Sequence, residues 1–363
     1  MRTLLYVLLA CLVVTSIRCK KTSIVEPIPD SPDLNGRIVF ALEGSGSSGP
    51  DGVWAVDLHG TSVTSRLVAP FGSDVRISQN GGLVVFSKIS AQQSQDILVV
   101  PVAGGTERDV TNRNQSSDFY PDISFNNSLV LYSALFSSTG ATAICQVDTG
   151  GNGFRALTDT SNVASQAWFS RFSPDGYQIA YIRRIEPAPS AKYELAVMSA
   201  DGTVSRDLAE THNLIPPQWS TDGRYIAYES ASTSAGGVGI VDVQSGFVKE
   251  ISVPGLSVDA NGCMWTPKGE LYCFGRNGND TLFGVVRFAD PMAGAGVFIL
   301  ATFRYQSTLL CTPDGQTVGV LGRSKNEPLA LFILGEGEAT FTEVGQIASG
   351  GEVQLGGFAQ WSK

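Results

Sequence analysis

The most regular pattern along the chain is an apolar stretch, a four-residue turn and a second apolar stretch, as in SRFSPDGYQIAYIRR at residues 170–184. The turn residues Ser173, Pro174, Asp175 and Gly176 each suit a tight turn through their backbone preferences. On the outgoing side, positions such as Ile179 to Ile182 predict a β-strand. The stretch as a whole therefore predicts a β-hairpin.

The same hairpin pattern recurs through most of the chain. Copies are PQWSTDGRYIAYES (217–230), CMWTPKGELYCFGR (263–276), LLCTPDGQTVGVLGR (309–323) and, more weakly, VRISQNGGLVVFSK (75–88) and PDISFNNSLVLYSA (121–134). Aligned on their Ser or Thr, at positions 78, 124, 173, 220, 266 and 312, the copies are 46, 49, 47, 46 and 46 residues apart. A sustained period of this length indicates a repeat architecture.

Each period also contains a third predicted strand, such as DILVVPV or ELAVMS, and a short polar fourth strand, such as TERDVT or SRDLAE. Four antiparallel strands repeated radially are typical of a β-propeller blade. We therefore predict an all-β fold, a seven-bladed β-propeller of four-stranded antiparallel blades.

The two ends of the chain suggest how such a ring closes. Residues 358–363 read as the opening strand of a unit whose remainder is missing, whereas GRIVFALEG (36–44) begins with a second strand. If the C-terminal strand completes the N-terminal blade, the ring has no open edge. Alternatively, SPDLNG (31–36) is a degenerate opening turn of the first blade. We favour closure by the C-terminal strand.

The N-terminus is different in kind. Arg2 precedes an apolar run over residues 4–14 that is short for a membrane span, which predicts an export signal over residues 1–19. Cys19 is a candidate for lipidation, followed by a tether over residues 20–35 and the propeller over residues 36–363. An ordinary cleaved signal with an incidental cysteine is the alternative, and Cys11 is a second, earlier candidate position. We expect an exported protein, periplasmic or associated with the outer membrane.

Export makes disulfide bonds possible for the remaining cysteines. A three-residue hairpin loop over 267–269 would place Cys263 directly opposite Cys273, and directly opposed residues can bridge. Two small buried thiols are the alternative.

The repeated hairpins resemble the TolB-type, WD40-like propeller repeat, whose blades open with a Trp-Ser-Pro-Asp-Gly hairpin. Residues 219–223 and 172–176 match this motif best, and the resemblance covers residues 36–363. It implies the fold. It does not imply a function, because the motif residues are turn and packing residues, and relatives range from TolB to peptidase caps and pectin-fragment lyases.

Composition and charge narrow the choice of partners. The 363 residues include 40 glycines and only 16% charged residues, which suits a turn-rich β protein. The net charge of −9 would repel a polyanion, so we expect no nucleic-acid partner. We expect membrane contact only through a lipid anchor, and an envelope protein or a glycan as the partner.

Familiar catalytic motifs are absent or out of context in this sequence. GSGSSG (44–49) has the spacing of a dinucleotide loop, but another strand follows it instead of a helix. His59 and His212 are the only histidines, too few for a histidine-based metal site, and no nucleophile elbow occurs. Turns such as 148–153 and 201–207 carry oxygen ligands but suit ordinary Asx turns. We expect no catalytic residue, no metal ion and no cofactor.

Binding positions are predicted from the repeat itself. Residues two before each aligned Ser or Thr point opposite to the packed aromatic position, toward a central channel. They are Arg76, Asp122, Arg171, Gln218, Met264, Leu310 and Gln360. We take Arg76, Asp122, Arg171, Gln218 and Gln360 as candidate channel residues. The alternative is that these side chains pack or pair between blades. The loops over 137–141, 184–192 and 231–237 are candidates for a binding face.

From the sequence alone we expect a non-catalytic propeller that binds a protein or a glycan in the bacterial envelope. The alternative is a glycan-active or hydrolytic enzyme with carboxylates at the channel. That alternative requires carboxylates of perturbed pKa in a pocket. A third hypothesis is a purely structural role.

Overall fold

The computed structural model of the protein describes fifteen ranges of the chain. They are residues 34–44, 52–60, 62–90, 94–112, 116–185, 192–212, 214–231, 237–277, 283–294, 296–303, 308–322, 329–334, 342–348, 353–355 and 360–362. The predicted export signal, Cys19 and most of the predicted tether lie outside them. Within the described ranges the repeating elements are β-strands. None of these ranges holds a helix long and apolar enough to cross a membrane.

The described strands number 29. In chain order they are β1 (Leu34–Gly44), β2 (Gly52–Gly60), β3 (Ser62–Pro70), β4 (Ser73–Ile77), β5 (Leu83–Ile89), β6 (Gln95–Pro101), β7 (Arg108–Asp109), β8 (Ser116–Ile123), β9 (Leu129–Phe136), β10 (Thr142–Asp148), β11 (Arg155–Ala156), β12 (Ala167–Phe172), β13 (Gln178–Arg184), β14 (Tyr193–Ser199) and β15 (Ser205–Thr211). They continue with β16 (Gln218–Trp219), β17 (Tyr225–Ser230), β18 (Gly237–Asp242), β19 (Val248–Ile251), β20 (Leu256–Trp265), β21 (Leu271–Asn277), β22 (Phe283–Phe288), β23 (Val297–Phe303), β24 (Thr308–Cys311), β25 (Val318–Gly322), β26 (Leu329–Leu334), β27 (Thr342–Ala348), β28 (Val353–Leu355) and β29 (Gln360–Ser362).

These strands form six antiparallel sheets in the described part of the chain. The first sheet contains β1–β3 with β28 and β29, the second β4–β7, the third β8–β11, the fifth β20–β23 and the sixth β24–β27. The fourth sheet contains eight strands, β12–β19, but its two halves are joined only where Thr211 of β15 pairs with Ser230 of β17. The all-β prediction is confirmed for the described residues.

The C-terminal strand pairs with the N-terminal one. In the register of β1 and β29, Val39 lies opposite Gln360 and Arg37 opposite Ser362. β1 begins at Leu34, two residues inside the predicted tether, because the backbone of Leu34 and Asn35 continues the pairing with β2. The first and last described strands, β1 and β29, therefore lie in the same sheet.

The repeated hairpin turns follow from a local hydrogen-bond pattern. In the turn after β12, the Ser173 hydroxyl donates to Asp175 Oδ1 at 2.5 Å and accepts from the backbone N–H of Gln178 at 2.9 Å. Gly176 has a φ of 76°, which a residue without a Cβ adopts at little cost. The same set of bonds recurs at Ser220, so the turn residues are satisfied locally and serve the architecture.

Apolar side chains pack consecutive sheets against one another. For example, Val39 and Val53 of the first sheet share a cluster with Val84 and Phe86 of the second. Comparable clusters join the second to the third, the third to the fourth, the fourth to the fifth and the fifth to the sixth sheet. Another cluster lies between the two halves of the fourth sheet. The core is thus a series of interfaces between neighbouring sheets.

Indole side chains add hydrogen bonds between successive groups of strands. Trp219 Nε1 donates to the carbonyl oxygen of Arg171 at 3.2 Å, and Trp265 Nε1 donates to that of Gln218 at 3.1 Å. Each bond satisfies a backbone carbonyl on the preceding group, about one repeat earlier in the chain. A buried carbonyl that loses its donor is costly to desolvate.

Replacing Trp265 by Phe removes this donor while it keeps an aromatic ring. We expect Trp265→Phe to lower the free energy of unfolding by about 1–3 kcal/mol, because the Gln218 carbonyl is left without the indole donor. Urea unfolding followed by circular dichroism measures the change.

Trp168→Phe is the matched control. The Trp168 indole makes an edge contact with Tyr193 and no hydrogen bond with the described residues. Equal losses in the two variants would show that ring size, and not the hydrogen bond, stabilises the interface.

Candidate functional site

The predicted channel positions meet at one cavity of about 1210 Å³. Six of the seven positions line it, and they are Arg76, Asp122, Arg171, Gln218, Met264 and Leu310. The side chain of Gln360 lies outside the described part of the structure. The cavity wall is built from β4, β8, β12, β16, β20 and β24, which we call the lining strands.

Irregular backbone in three lining strands places further side chains on the wall. The register shifts in β4, β8 and β12 immediately before the channel position. In each case the residue two before that position has a left-handed backbone: Asp74 (φ 49°), Tyr120 (φ 55°) and Phe169 (φ 56°). All three line the cavity. Bulges re-aim side chains, and strained residues of this kind cluster at functional sites.

The cavity is charged on one side and uncharged on the other. Its charged lining residues within the described ranges are Asp74, Arg76, Asp122 and Arg171, and all of them come from β4, β8 and β12. The lining residues from β16, β20, β24 and the segment before β16 are uncharged: Leu214, Pro216, Trp219, Met264, Trp265 and Leu310 are apolar, and Gln218, Asn261 and Thr308 are polar. A molecule that fills this cavity meets two chemically different walls.

Arg171 is the most deeply buried cation of the wall, with 8% of its surface exposed. Its guanidinium donates to the backbone carbonyls of Ser170 at 3.0 Å and Pro121 at 3.4 Å. Nε is buried without a hydrogen-bond partner. In the described part of the chain no carboxylate forms an ion pair with it. Burying a charge in this way costs free energy unless a group of opposite charge pairs with it.

The two carboxylates of the wall are held by separate donors. Asp122 Oδ2 accepts from the backbone N–H of Phe172 at 2.8 Å, across the boundary between sheets. Asp74 Oδ2 accepts from the Ser87 hydroxyl at 2.9 Å. Burial raises the pKa of Asp74, while the Ser87 hydrogen bond and the charge of Arg171 partly oppose that rise. Asp74 is therefore a carboxyl group that keeps its proton to a higher pH than usual.

The two arginines of the wall destabilise each other's charge. Burial, and after it the positive charge of Arg171, lower the pKa of Arg76 to about 9, against the attraction of Asp122 and Asp74. Burial also lowers the pKa of Arg171, and the same two carboxylates act in the opposite direction. The wall therefore holds positive charge that its own carboxylates offset through space. An entering anion would stabilise it further.

Other reactive groups contribute little to this wall. His59 lies in β2, and neither His59 nor His212 lines the cavity. No group of three His, Cys, Asp or Glu side chains that could hold a metal ion occurs within the described ranges. Cys263 and Cys273 form a disulfide bond with Cα atoms 4.0 Å apart. Cys263 lines the cavity, so this bond fixes β20 against β21 at the wall.

Sequence reasoning missed the side chains that the bulges bring to the wall. By strand alternation Asp74, Tyr120 and Phe169 share a face with the channel positions two residues later, and they were missed because only one position in each repeat was considered. The rings of Tyr120 and Phe169 lie 4.2 Å apart at 37°. One signal was available, because the hairpins over 75–88 and 121–134 are the weakest copies of the repeat. The predicted binding loop over 184–192 lies mostly outside the described residues, as does most of 231–237.

Comparison with known proteins identifies the fold but no family. No family model matches the chain, and no curated protein matches it. Solved structures do match. TolB from Acinetobacter baumannii is 16% identical, with a TM-score of 0.54 over 91% of this chain and 67% of that one. An oligogalacturonate lyase in complex with manganese is 11% identical, with a TM-score of 0.60 over 86% of each chain.

A third similar structure is a puromycin-hydrolyzing peptidase from Mycobacterium tuberculosis, at 16% identity and a TM-score of 0.62. The match covers 90% of this chain but only 53% of the peptidase, so this chain spans about half the peptidase's length. The fold is TolB-like.

The prediction of a non-catalytic protein is wrong as a conclusion from this fold. Similar structures include a lyase, peptidases and a puromycin hydrolase. We expected no catalysis because the sequence has only two histidines and no nucleophile elbow. Carboxylates that meet at a cavity from separate strands leave no such linear motif. Proteins of this fold thus include enzymes, and the fold gives no reason to exclude catalysis.

A buried carboxyl outside the cavity makes stability depend on pH. Asp118 of β8 is 1% exposed, and burial raises its pKa to about 7, against hydrogen bonds from Ser116 and Thr111. The charges of Asp96 and Asp109 raise it further. The folded protein thus keeps a proton that an unfolded Asp, with a pKa near 3.9, has already lost.

We expect the free energy of unfolding to fall between about pH 4 and pH 7 and to level off above pH 7. A raised folded-state pKa means that the folded state binds more protons in that window, so stability decreases as the pH rises. In Asp118→Asn this contribution, about 2–4 kcal/mol, should vanish, because the amide does not titrate. Urea unfolding at pH 4.5, 6 and 8 measures both proteins. A variant with the wild-type pH dependence would exclude Asp118 as its source.

Proposed function

We propose that this protein is an exported enzyme, a seven-bladed β-propeller whose active site is the central cavity and whose substrate is a glycan or another hydrolysable molecule. The observation that carries the proposal is the placement of Asp74 and Asp122 on one cavity wall beside the buried Arg171. Paired carboxylates in a large pocket, one of them with a raised pKa, suit acid–base chemistry.

Seven blades follow if each half of the eight-stranded sheet counts as one blade. The halves share one paired residue position, Thr211 with Ser230, and an apolar cluster packs them face to face. Residues paired within one flat sheet do not pack face to face in this way. Each half has four strands, as four of the other five sheets do.

The proposed ring closes through the C-terminal strand. β29 pairs with β1 and contacts both β4 and β24, the lining strands of the second and sixth sheets. It thus joins the first and last lining strands along the chain. Closure of this kind leaves no exposed sheet edge at the ends of the chain.

The residues of the wall would divide the chemistry between them. Asp74, whose pKa burial raises, would hold the proton that is given to a leaving group. Asp122 is fixed by the Phe172 N–H and would act as the base. Arg171 and Arg76 would stabilise negative charge that develops on the substrate, and they would do so strongly because the site is partly buried.

Metal-dependent chemistry is not part of this proposal. The similar lyase was solved with manganese, but the described wall offers two carboxylates and no imidazole. Two carboxylates beside the two guanidinium groups of Arg76 and Arg171 are a poor site for a divalent cation, because those positive charges repel it. We therefore derive no step through a metal ion.

The catalytic part of the proposal is tested by product formation. The full chain would be incubated with acidic oligosaccharides, neutral oligosaccharides, carboxylic esters and peptides, and products would be identified by mass spectrometry. For the substrate turned over, we expect Asp74→Asn and Asp122→Asn to lower kcat by about 10²–10⁴, because each loses a proton-transfer group.

Asp148→Asn is the control, since Asp148 ends β10 outside the cavity, where it accepts from the backbone N–H of Gly150. Turnover of no substrate by the wild type, or the same loss in all three variants, would refute the proposal.

Lipid anchoring is a separate proposal, motivated by the apolar N-terminal run and Cys19. In cells fed a palmitate analogue, we expect the full chain to be labelled and Cys19→Ser to lose the label, because the thiol is the acceptor. Cys11→Ser tests the earlier position. Label that survives Cys19→Ser and disappears in Cys11→Ser would move the anchor to Cys11.

A further inference from the structure

The burial of Arg171 in the cavity wall restricts what the cavity can bind. In the described part of the structure its Nε has no hydrogen-bond partner, its other guanidinium hydrogen bonds go to two backbone carbonyls, and no carboxylate forms an ion pair with it. Backbone carbonyls carry only partial charges, so they do not neutralise a guanidinium. A ligand with an anionic group would supply the missing partner through charge-assisted hydrogen bonds.

A second guanidinium group, that of Arg76, adds positive charge to the same cavity. Arg76 lines the same cavity from β4, one sheet away from β8 and two from β12, and its charge is repelled by that of Arg171. Asp74 and Asp122 oppose the repulsion but are each held by another donor, Ser87 and the Phe172 N–H. An anion between the two arginines would stabilise both cations at once.

The uncharged side of the cavity, formed by β16, β20 and β24, favours an apolar part of a ligand. The indole N–H of Trp219 is already engaged by the Arg171 carbonyl, and that of Trp265 by the Gln218 carbonyl. Together with Met264 and Leu310, these side chains therefore offer the ligand mainly hydrocarbon surface. Apolar surface of this kind gains free energy by covering an apolar group, not a chain of hydroxyls.

We propose that the ligand of this cavity is a small amphipathic anion, with one carboxylate bound by Arg171 and Arg76 and an apolar body lying against Trp219, Met264 and Leu310. This inference rests on the proposed function only in placing the ligand in the same cavity. It narrows the substrate class to acids or esters whose anionic group is joined to an aryl or alkyl body.

Charge argues against a long polyanion as the ligand. The chain carries a net charge of −9, and two carboxylates share the wall with the two arginines. Each additional negative group on a ligand would meet these carboxylates or the acidic exterior. A ligand with a single anionic group can pair with the Arg171 guanidinium and avoids that repulsion.

Matched probes test the inference on the full chain. They are 4-phenylbutyrate, the neutral 4-phenylbutanamide, which has the same body, and butyrate, which has the same charge and a smaller body. Isothermal titration calorimetry measures binding. We expect 4-phenylbutyrate to bind at least tenfold more tightly than either of the other probes, because only it uses both walls.

Removing a positive charge and removing a negative charge from the wall should change the affinity for 4-phenylbutyrate in opposite directions. Arg171→Gln should weaken 4-phenylbutyrate at least tenfold and leave the amide unchanged. Asp122→Asn should tighten 4-phenylbutyrate severalfold, because it removes a carboxylate that attracts Arg171. Arg155→Gln is the control, since Arg155 is exposed and donates to the Asp201 carbonyl away from the cavity.

The outcomes separate this inference from the enzymatic proposal. Arginine-dependent binding of 4-phenylbutyrate without turnover of any substrate would uphold the ligand class and refute the enzyme. Equal binding of the acid and the amide, or tighter binding of butyrate, would overturn the ligand class whatever the turnover. If Arg171→Gln fails to fold, the three probes and Asp122→Asn on the folded proteins still decide between these results.

Discussion

The hydrogen bond from one group of strands to the next is the interaction on which the rest of this structure depends. Asp122 accepts from the Phe172 N–H, Trp219 donates to the Arg171 carbonyl, and Trp265 donates to the Gln218 carbonyl. Each bond joins a lining strand to its neighbour at corresponding positions of the repeat. Because a buried backbone group must find a partner, these contacts fix how the lining strands stand against one another. They also set the positions of the charged side chains that the strands carry into the cavity.

The cavity gains its chemical character by departing from this regular arrangement. Bulges in β4, β8 and β12 turn Asp74, Tyr120 and Phe169 onto the wall, each with a left-handed backbone. The charged groups of the wall are confined to these same three strands. In β16, β20 and β24, by contrast, the lining residues are uncharged. Strain, charge and burial therefore coincide on one side, as is common where a protein binds or transforms a ligand.

The functional prediction from sequence failed for an instructive reason. Catalysis by histidine or an activated serine can often be recognised from short sequence motifs, and this sequence lacks the motifs considered. Carboxylates placed on separate strands about 46 to 50 residues apart, as Asp74 and Asp122 are, leave no linear signature. Enzymes among the similar structures show that the TolB-like fold accommodates catalysis. The fold and the cavity, and not a motif, are what make an active site a reasonable proposal here.

The sequence by itself determined the elements and their order. Local hydrogen bonds in turns such as Ser173 to Gln178, and the alternation of apolar residues around them, act over a few residues and can be read directly from the chain. The channel positions were also accessible, because they share one place in every repeat. Tertiary structure alone decided the bulges, the division of the wall into charged and uncharged sides, and the unpaired burial of Arg171. These properties arise where strands distant in sequence pack together, and burial and charge interactions are set by neighbours that the local pattern does not contain.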